Sequence, residues 1–293
     1  MYEPEWRQPA GKAEVLAVLA ELGEKAALIA GGTDLAPLIS RRATRPPVLV
    51  DLCRADDLRY VSEDPEGGSG ERAEIGTLLT HGMLARGGLP FEVPEVLSVA
   101  CRTVGAPQVR ARGTIGGNVA NASPAADGSV ALMSLDASAV IESESGGRRE
   151  VSLPRFFEGP GQTVLRADEL VTGVTLRLPS GESRSVYKKA GQRNALAIAV
   201  ASVALVFEPG AGTVRIALGS VAPTPVRATM AEGLFESGWD NEASREELVR
   251  EVAGAAARDA TPIDDVRASA WYRKVLVEVL TRRALEEVCL QRR

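Results

Sequence analysis

The chain has 293 residues, enough for two domains or one large domain with a lobe, each able to bury its own core. Hydrophobic residues make up 45% and charged residues 25%, with a net charge of -5, so the basic footprint of a nucleic-acid-binding protein is missing. One histidine and three scattered cysteines, Cys53, Cys101 and Cys289, leave no material for a zinc site, a disulfide framework or an iron–sulfur cluster built by this chain alone.

In chain order, AEVLAVLAEL (residues 13–22) repeats its apolar side chains at helical spacing and stops at Gly23. AALIAGG (26–32) is a short apolar run broken by a glycine pair, and TDLAPLISRR after it predicts a helix capped by Thr33 or Asp34. PVLVDLC is the next strand. A polar linker, SEDPEGGSGER, leads to a strand at AEIGTLL, helices around THGMLARG and PEVLSVACRTV, and then RGTIGGNVANASPAADG (112–128) with a helix near DGSVALMSLDA. SAVIES, REVSL and ELVTGVTLRLP read as strands joined by polar turns. PSGESRS (179–185) is the best boundary, dividing residues 1–178, with subdomains of about 1–60 and 61–178, from residues 179–293. Beyond it stand two strands, ALAIAVASVALVFE and GTVRIALGSVA, and two helices, near EASREELVREVAGAAARDA and ASAWYRKVLVEVLTRRALEEVCL. The predicted class is α+β, without the regular alternation of a doubly wound sheet. No run approaches the roughly 18 apolar residues that span a bilayer, and the start MYEPEWRQPAGK lacks the apolar core of a signal peptide. The expectation is a cytoplasmic protein with neither membrane nor nucleic acid among its partners.

The chemistry concentrates in two Gly-Gly turns, AGGTDL from Ala30 and TIGGN from Thr114. A glycine pair permits positive φ and removes Cβ atoms, so successive N–H groups can converge on an anion, with a threonine hydroxyl and an asparagine amide as further donors. Two such turns meeting in space would hold a pyrophosphate; each alone would be an ordinary turn. Asp127 is either an N-cap or an acceptor for ribose hydroxyls, with Ser123 and Pro124 setting the turn before it. GPGQTV (159–164) lacks the third glycine of a dinucleotide fingerprint, GGSGER from Gly67 reads as a flexible linker, and no P-loop is present. His81 reads as a packing residue at a helix start.

The segments LIAGGTDLAPLI, IGTLLTHGML, VGAPQVRARGTIGGNVANASPAAD, VYKKAGQRNALAIAVASVAL and DDVRASAWYRKVLVEVLTRRAL together resemble the FAD-binding medium subunit of the molybdenum hydroxylases. This is the flavoprotein component of the xanthine dehydrogenase, carbon monoxide dehydrogenase and aromatic or purine hydroxylase group. The resemblance extends from about residue 4 to residue 283. It implies a two-subdomain flavin fold of the vanillyl-alcohol oxidase and MurB-like type, followed by a smaller C-terminal α+β domain that closes over the flavin. It also implies that Leu28, Ile29, Ala30, Gly31, Gly32, Thr33, Asp34 and Leu35 wrap the ribityl chain and pyrophosphate. Thr114, Gly116, Gly117 and Asn118 are similar to a second clamp, and Val104, Gly105, Gly113 and Ser123 fall among the cofactor-binding positions. Asp127 resembles the acid that receives the adenosine ribose, and Leu170 or Val171 the apolar wall beside adenine. Lys189 and Arg193 match a Lys-x-x-x-Arg pattern, placing a cation near the flavin pyrimidine edge. Two departures stand out: Leu196 and Ala197 replace the acidic residue usual after that arginine, and Val104 is aliphatic where some relatives carry an aromatic ring.

The implied function is electron transfer through FAD, with no catalytic residue and no metal site on this chain. A molybdenum-cofactor large subunit and a [2Fe-2S] small subunit are the implied partners, in a dimer of heterotrimers, with NAD+ or another acceptor receiving the electrons. Two alternatives remain: a stand-alone FAD oxidoreductase, for which Tyr187 is the one candidate acid–base group, and a flavin-free scaffold.

Overall fold

The computed structural model describes residues 2–63, 71–193, 196–241 and 244–290. The Gly67–Gly68 pair of the expected linker lies outside the described residues. The chain opens with β1 (Glu5–Arg7), α1 (Lys12–Leu22), β2 (Ala26–Ile29), α2 (Leu35–Ser40) and β3 (Val48–Asp51). The three strands form a parallel sheet in the order β1-β3-β2. Val15, Leu16 and Leu19, spaced to fall on one face of α1, pack on Val48 and Val50 of β3. Gly23 ends α1 at φ +52, where a side chain would be strained.

The second part contains β4 (Val61–Glu63), β5 (Arg72–Gly76), α3 (His81–Arg86), α4 (Glu95–Thr103), α5 (Pro107–Arg112), α6 (Ile115–Ala120), α7 (Asp127–Ser134), β6 (Ser138–Ser143), β7 (Gly147–Ser152), α8 (Leu153–Phe156), β8 (Phe157–Gly159), β9 (Gln162–Thr163) and β10 (Leu170–Arg177). Its five-stranded antiparallel sheet runs β4-β5-β10-β6-β7. The GPGQTV stretch is the β8–β9 hairpin rather than a nucleotide loop.

The last part is a four-stranded antiparallel sheet of β11 (Arg184–Gly191), β12 (Ala199–Glu208), β13 (Thr213–Gly219) and β14 (Val226–Arg227), with α9 (Thr229–Gly238), α10 (Arg245–Asp259) and α11 (Ala270–Leu285). Every residue of β12 is buried. Side chains alternate across a strand, so Ala201, Val203, Leu205 and Phe207 enter the core under the three helices. Ala204 and Val206 enter the other core, which holds α4 and α7. Burial on both faces explains why β12 reads as a continuous apolar run although its sheet is antiparallel.

The α+β class expected from the sequence is the one observed. One element differs in kind: TIGGN is not a turn but the start of α6, with Thr114 as N-cap accepting the Gly117 N–H at 3.1 Å. Tertiary pairing overrides glycine's poor helix propensity there. Residues 113–116 are sewn to residues 77–81 by His81 N–H to Gly113 O, Ile115 N–H to Leu79 O and Gly116 N–H to Thr77 O. Among the described residues no helix is long and apolar enough to cross a membrane.

Candidate cofactor site

A cavity of about 590 Å3 opens between the first two parts of the chain and the start of β12. The two glycine segments meet in its wall. A Cβ built on Gly31 would fall 2.0 Å from the Arg112 carbonyl oxygen and 3.0 Å from Gly113 Cα, so the absence of a side chain at position 31 is what lets the loops touch. Gly32 then turns the chain at φ +68 into α2. Among the described residues nothing accepts the N–H groups of Gly31, Gly32, Thr33 and Asp34. Four successive amides in a loop on a cavity wall form a site for an anion.

The second segment contributes differently from the expectation. The first amides of α6 are already paired: Gly116 N–H with Thr77 O, Gly117 N–H with Thr114 Oγ1, and Asn118 N–H with Thr114 O. What this end offers a phosphate is side-chain donors. Asn118 Oδ1 accepts from Ser129 N–H and Ser129 Oγ at 3.0 and 3.1 Å, which leaves its amide Nδ2 to donate, beside the Thr114 hydroxyl. A Cβ on Gly117 would meet only Thr114 Oγ1, at 3.0 Å, so this position is a cradle that a side chain would fill. Free amides, neutral donors and an unfilled cradle fit the linked phosphates of a dinucleotide.

Of the candidate residues, all but Lys189 and Arg193 line the cavity: Leu28 through Leu35, Val104, Gly105, Gly113, Thr114, Gly116, Gly117, Asn118, Ser123, Asp127, Leu170 and Val171. The two exceptions have other partners. Lys189 Nζ lies 2.6 Å from Asp127 Oδ2 and 3.3 Å from the Thr103 carbonyl, so its charge is spent on a buried carboxylate. Arg193 donates twice to the Leu196 carbonyl, at 2.7 and 3.2 Å, and Leu196 itself stands at φ +56. Neither Thr33 nor Asp34 caps α2 through its side chain. Asp127 is the first residue of α7 rather than its cap, and its two oxygens accept from Tyr187 and Lys189 on β11, each at 2.6 Å. Burial pushes its carboxyl up, and the Lys189 ammonium pulls against that.

Sequence reasoning passed over Thr77, Val109, Leu165 and Ile198, which also line the cavity, and it read Leu196 and Ala197 only as replacements for an acid. Spacing could not reveal them, because they come from four separate elements or loops. Among the described residues no Phe, Tyr or Trp lines the cavity, so any flat ring bound there would rest on aliphatic groups such as Val104, Leu196 and Ile198.

His81 is buried at the first position of α3 and also lines the cavity. Burial pushes its imidazole down to about 4, with Nδ1 3.5 Å from the Cys101 thiol. The chain has a single histidine, so its NMR signal is unambiguous. The ring is expected to stay neutral through the neutral range and to titrate only near pH 4. Its folded value lies below the ordinary 6.5, so the unfolded chain takes the proton first. Stability should therefore fall as pH drops from about 6.5 towards 4, by up to about 1.4 kcal/mol per pH unit. A chemical-shift midpoint near 6.5 would put the ring in water instead.

The family model described as the FAD binding domain in molybdopterin dehydrogenase matches residues 2–179, and that of the CO dehydrogenase flavoprotein C-terminal domain matches residues 185–288. The chain is 35% identical to the glyceraldehyde dehydrogenase medium chain of Sulfolobus acidocaldarius, over 89% of each chain. It is 32% identical to the carbon monoxide dehydrogenase medium chain of Hydrogenophaga pseudoflava, over 96% of this chain and 95% of that one. In solved structures, it superposes on a chain of that organism's carbon monoxide dehydrogenase with a TM-score of 0.87 at 30% identity, covering 98% and 97% of the two chains. A chain of quinoline 2-oxidoreductase from Pseudomonas putida 86 superposes with a TM-score of 0.85 at 27% identity, covering 98% and 96%.

Proposed function

This chain belongs to the family of FAD-binding medium subunits of the molybdenum hydroxylases, and from that membership we propose that it relays electrons from a partner's iron–sulfur clusters to NAD+ or another acceptor. It is an oxidoreductase subunit with FAD as its cofactor. Substrate oxidation then belongs to a molybdenum-cofactor large subunit, and the clusters to a [2Fe-2S] small subunit, in a dimer of heterotrimers. Relatives named as chains or subunits of dehydrogenases support a division of labour. The two matched segments, 2–179 and 185–288, support a division of this chain near residues 179–184.

The observation that carries the relay reading is a cavity whose free amides, side-chain donors and unfilled cradle fit the linked phosphates of a dinucleotide. Among the described residues no cluster of His, Cys, Asp and Glu could hold a metal ion. Bound FAD supplies a redox centre that can trade electrons singly with a cluster and in pairs with an acceptor. The protein's part is to bind and orient. The amides of Gly31 to Asp34, the Thr114 hydroxyl and the Asn118 amide would hold the phosphates, and the aliphatic wall would exclude water from the ring. Tyr187, the one acid–base candidate for a stand-alone oxidoreductase, is buried and donates to Asp127, so it has no free role towards a substrate.

Purified with its FAD, the chain alone is expected to oxidise no substrate. Combined with its partners, the flavin should bleach on addition of substrate and recover on addition of the acceptor, in stopped-flow absorbance, while metal and cluster analysis of the co-purified complex finds molybdenum and iron on other chains. Substrate turnover by the chain alone would overturn the relay in favour of a self-sufficient enzyme.

A further inference from the structure

We infer that Arg273, in the first turn of α11, is a positioning residue for FAD: its buried guanidinium holds at once two stretches of backbone through which the C-terminal sheet shapes the cavity. The inference rests on the reading of that cavity as the FAD site. Arg273 itself does not line the cavity. It is 4% exposed, with Nη1 donating to the carbonyls of Val200 at 2.9 Å and Ser220 at 2.5 Å, and Nη2 donating to Asp265 Oδ1 at 2.6 Å.

Each carbonyl leads to the wall. Val200 lies two residues after Ile198, the last of the lining residues Leu196, Ala197 and Ile198, so holding Val200 anchors that lip where it enters β12. Ser220 follows β13 in a left-handed conformation, φ +63, which a serine keeps only where its surroundings impose it. Its N–H donates to the Pro124 carbonyl at 2.8 Å, between the lining residues Ser123 and Ala125. Ser220 is thus gripped on its carbonyl by Arg273 while its amide grips the cavity wall.

The choice of residue is informative. Desolvating a guanidinium is costly, and among the described residues nothing accepts from the buried Nε of Arg273, while an aliphatic side chain would hold α11 on the sheet equally well, so the charge is kept for the three bonds made by Nη1 and Nη2. A guanidinium sends these three bonds from two nitrogens fixed in one plane, whereas the three donors of an ammonium radiate from a single atom, so a lysine cannot reproduce the same spacing of Val200, Ser220 and Asp265. The arrangement is therefore aimed at the positions of Val200 and Ser220 rather than at helix packing.

The test is FAD titration of the whole chain, stripped of its flavin, in three variants. Arg273→Met is expected to weaken FAD binding about tenfold and to change the visible circular dichroism of the bound flavin, because the lip and wall lose their anchor. Arg273→Lys should recover part of both. Val277→Ala, which trims the C-terminal core from the same helix, should lower the melting temperature but leave FAD affinity within about twofold of the parent. If Arg273→Met does not fold, Arg273→Lys carries the comparison, with an affinity expected between those of the parent and of a fully unanchored cavity. An Arg273 variant that melts lower yet binds FAD with parental affinity and parental dichroism would overturn the positioning role. A parent chain that binds no FAD at all would overturn the reading of the cavity beneath it.

Discussion

Gly117→Val is expected to purify colourless and folded. The Cβ of residue 117 has open space on every side except towards Thr114 Oγ1, so the branched side chain projects into the cradle between the two phosphate-binding segments. The resulting loss of FAD affinity should reach about 100-fold or more, equivalent to about 3 kcal/mol, because a phosphate cannot share that volume. The fold should not suffer: valine is a better helix former than glycine by a few tenths of a kcal/mol, and position 117 is inside α6. The adjacent glycine makes the control. A Cβ on Gly116 would lie 1.5 Å from Thr77 Oγ1 and 2.9 Å from Thr77 Cα, so Gly116→Ala must push apart α6 and the segment after β5, costing on the order of 1–3 kcal/mol. Flavin absorbance of the purified proteins and melting curves taken without FAD separate the two effects. Flavin retained by Gly117→Val at the parent's level would show that the dinucleotide does not pass this residue.

That contrast marks how far the sequence could be read. The glycine pairs announce themselves because they interrupt apolar runs, and α1 announces itself through Val15, Leu16 and Leu19 and the stop at Gly23. The conformation of the second pair was not legible: Gly-Gly disfavours helix locally, and only the long-range bonds from residues 77–81 make it one. Gly31 illustrates the opposite case, where the residue was legible as important but its reason was not, since the backbone it must approach, Arg112 and Gly113, lies some eighty positions away. α5 escaped detection because it is six residues long and buries no side chain, and α9 because Gly233 interrupts it. The two candidate residues that do not line the cavity have different partners, Arg193 the carbonyl of Leu196 three positions on and Lys189 a carboxylate far away in the chain. Lys189 and Arg193 have the right charge at the right spacing for a flavin contact, yet a pattern within one segment cannot say that Asp127, 62 residues earlier, has claimed the lysine.

Lys189→Met turns that last point into a measurement with a large expected effect. Lys189 and Asp127 form an ion pair whose side chains are 11% and 6% exposed, with Tyr187 as the carboxylate's second donor. Removing one member of such a pair leaves the other buried without compensation, which costs about 3–5 kcal/mol. In a protein of this size that is a melting-temperature loss on the order of 10 °C. The deficit should also depend on pH. Deprived of the ammonium, the Asp127 carboxyl, which burial already pushes up, rises further above its unfolded value. The folded chain then holds a proton the unfolded chain has released, so the variant loses stability as pH rises through the window between the two values and is closest to the parent in acid. Lys189→Met combined with Asp127→Asn should recover part of the loss, and the double-mutant cycle gives the coupling directly. Were Lys189 instead a cation reserved for the flavin edge, its loss would move the flavin potential and leave the FAD-free melting curve unchanged. Melting the FAD-free parent and variant side by side therefore decides between a clasp that fastens α7 to the C-terminal sheet and a contact made only with the cofactor.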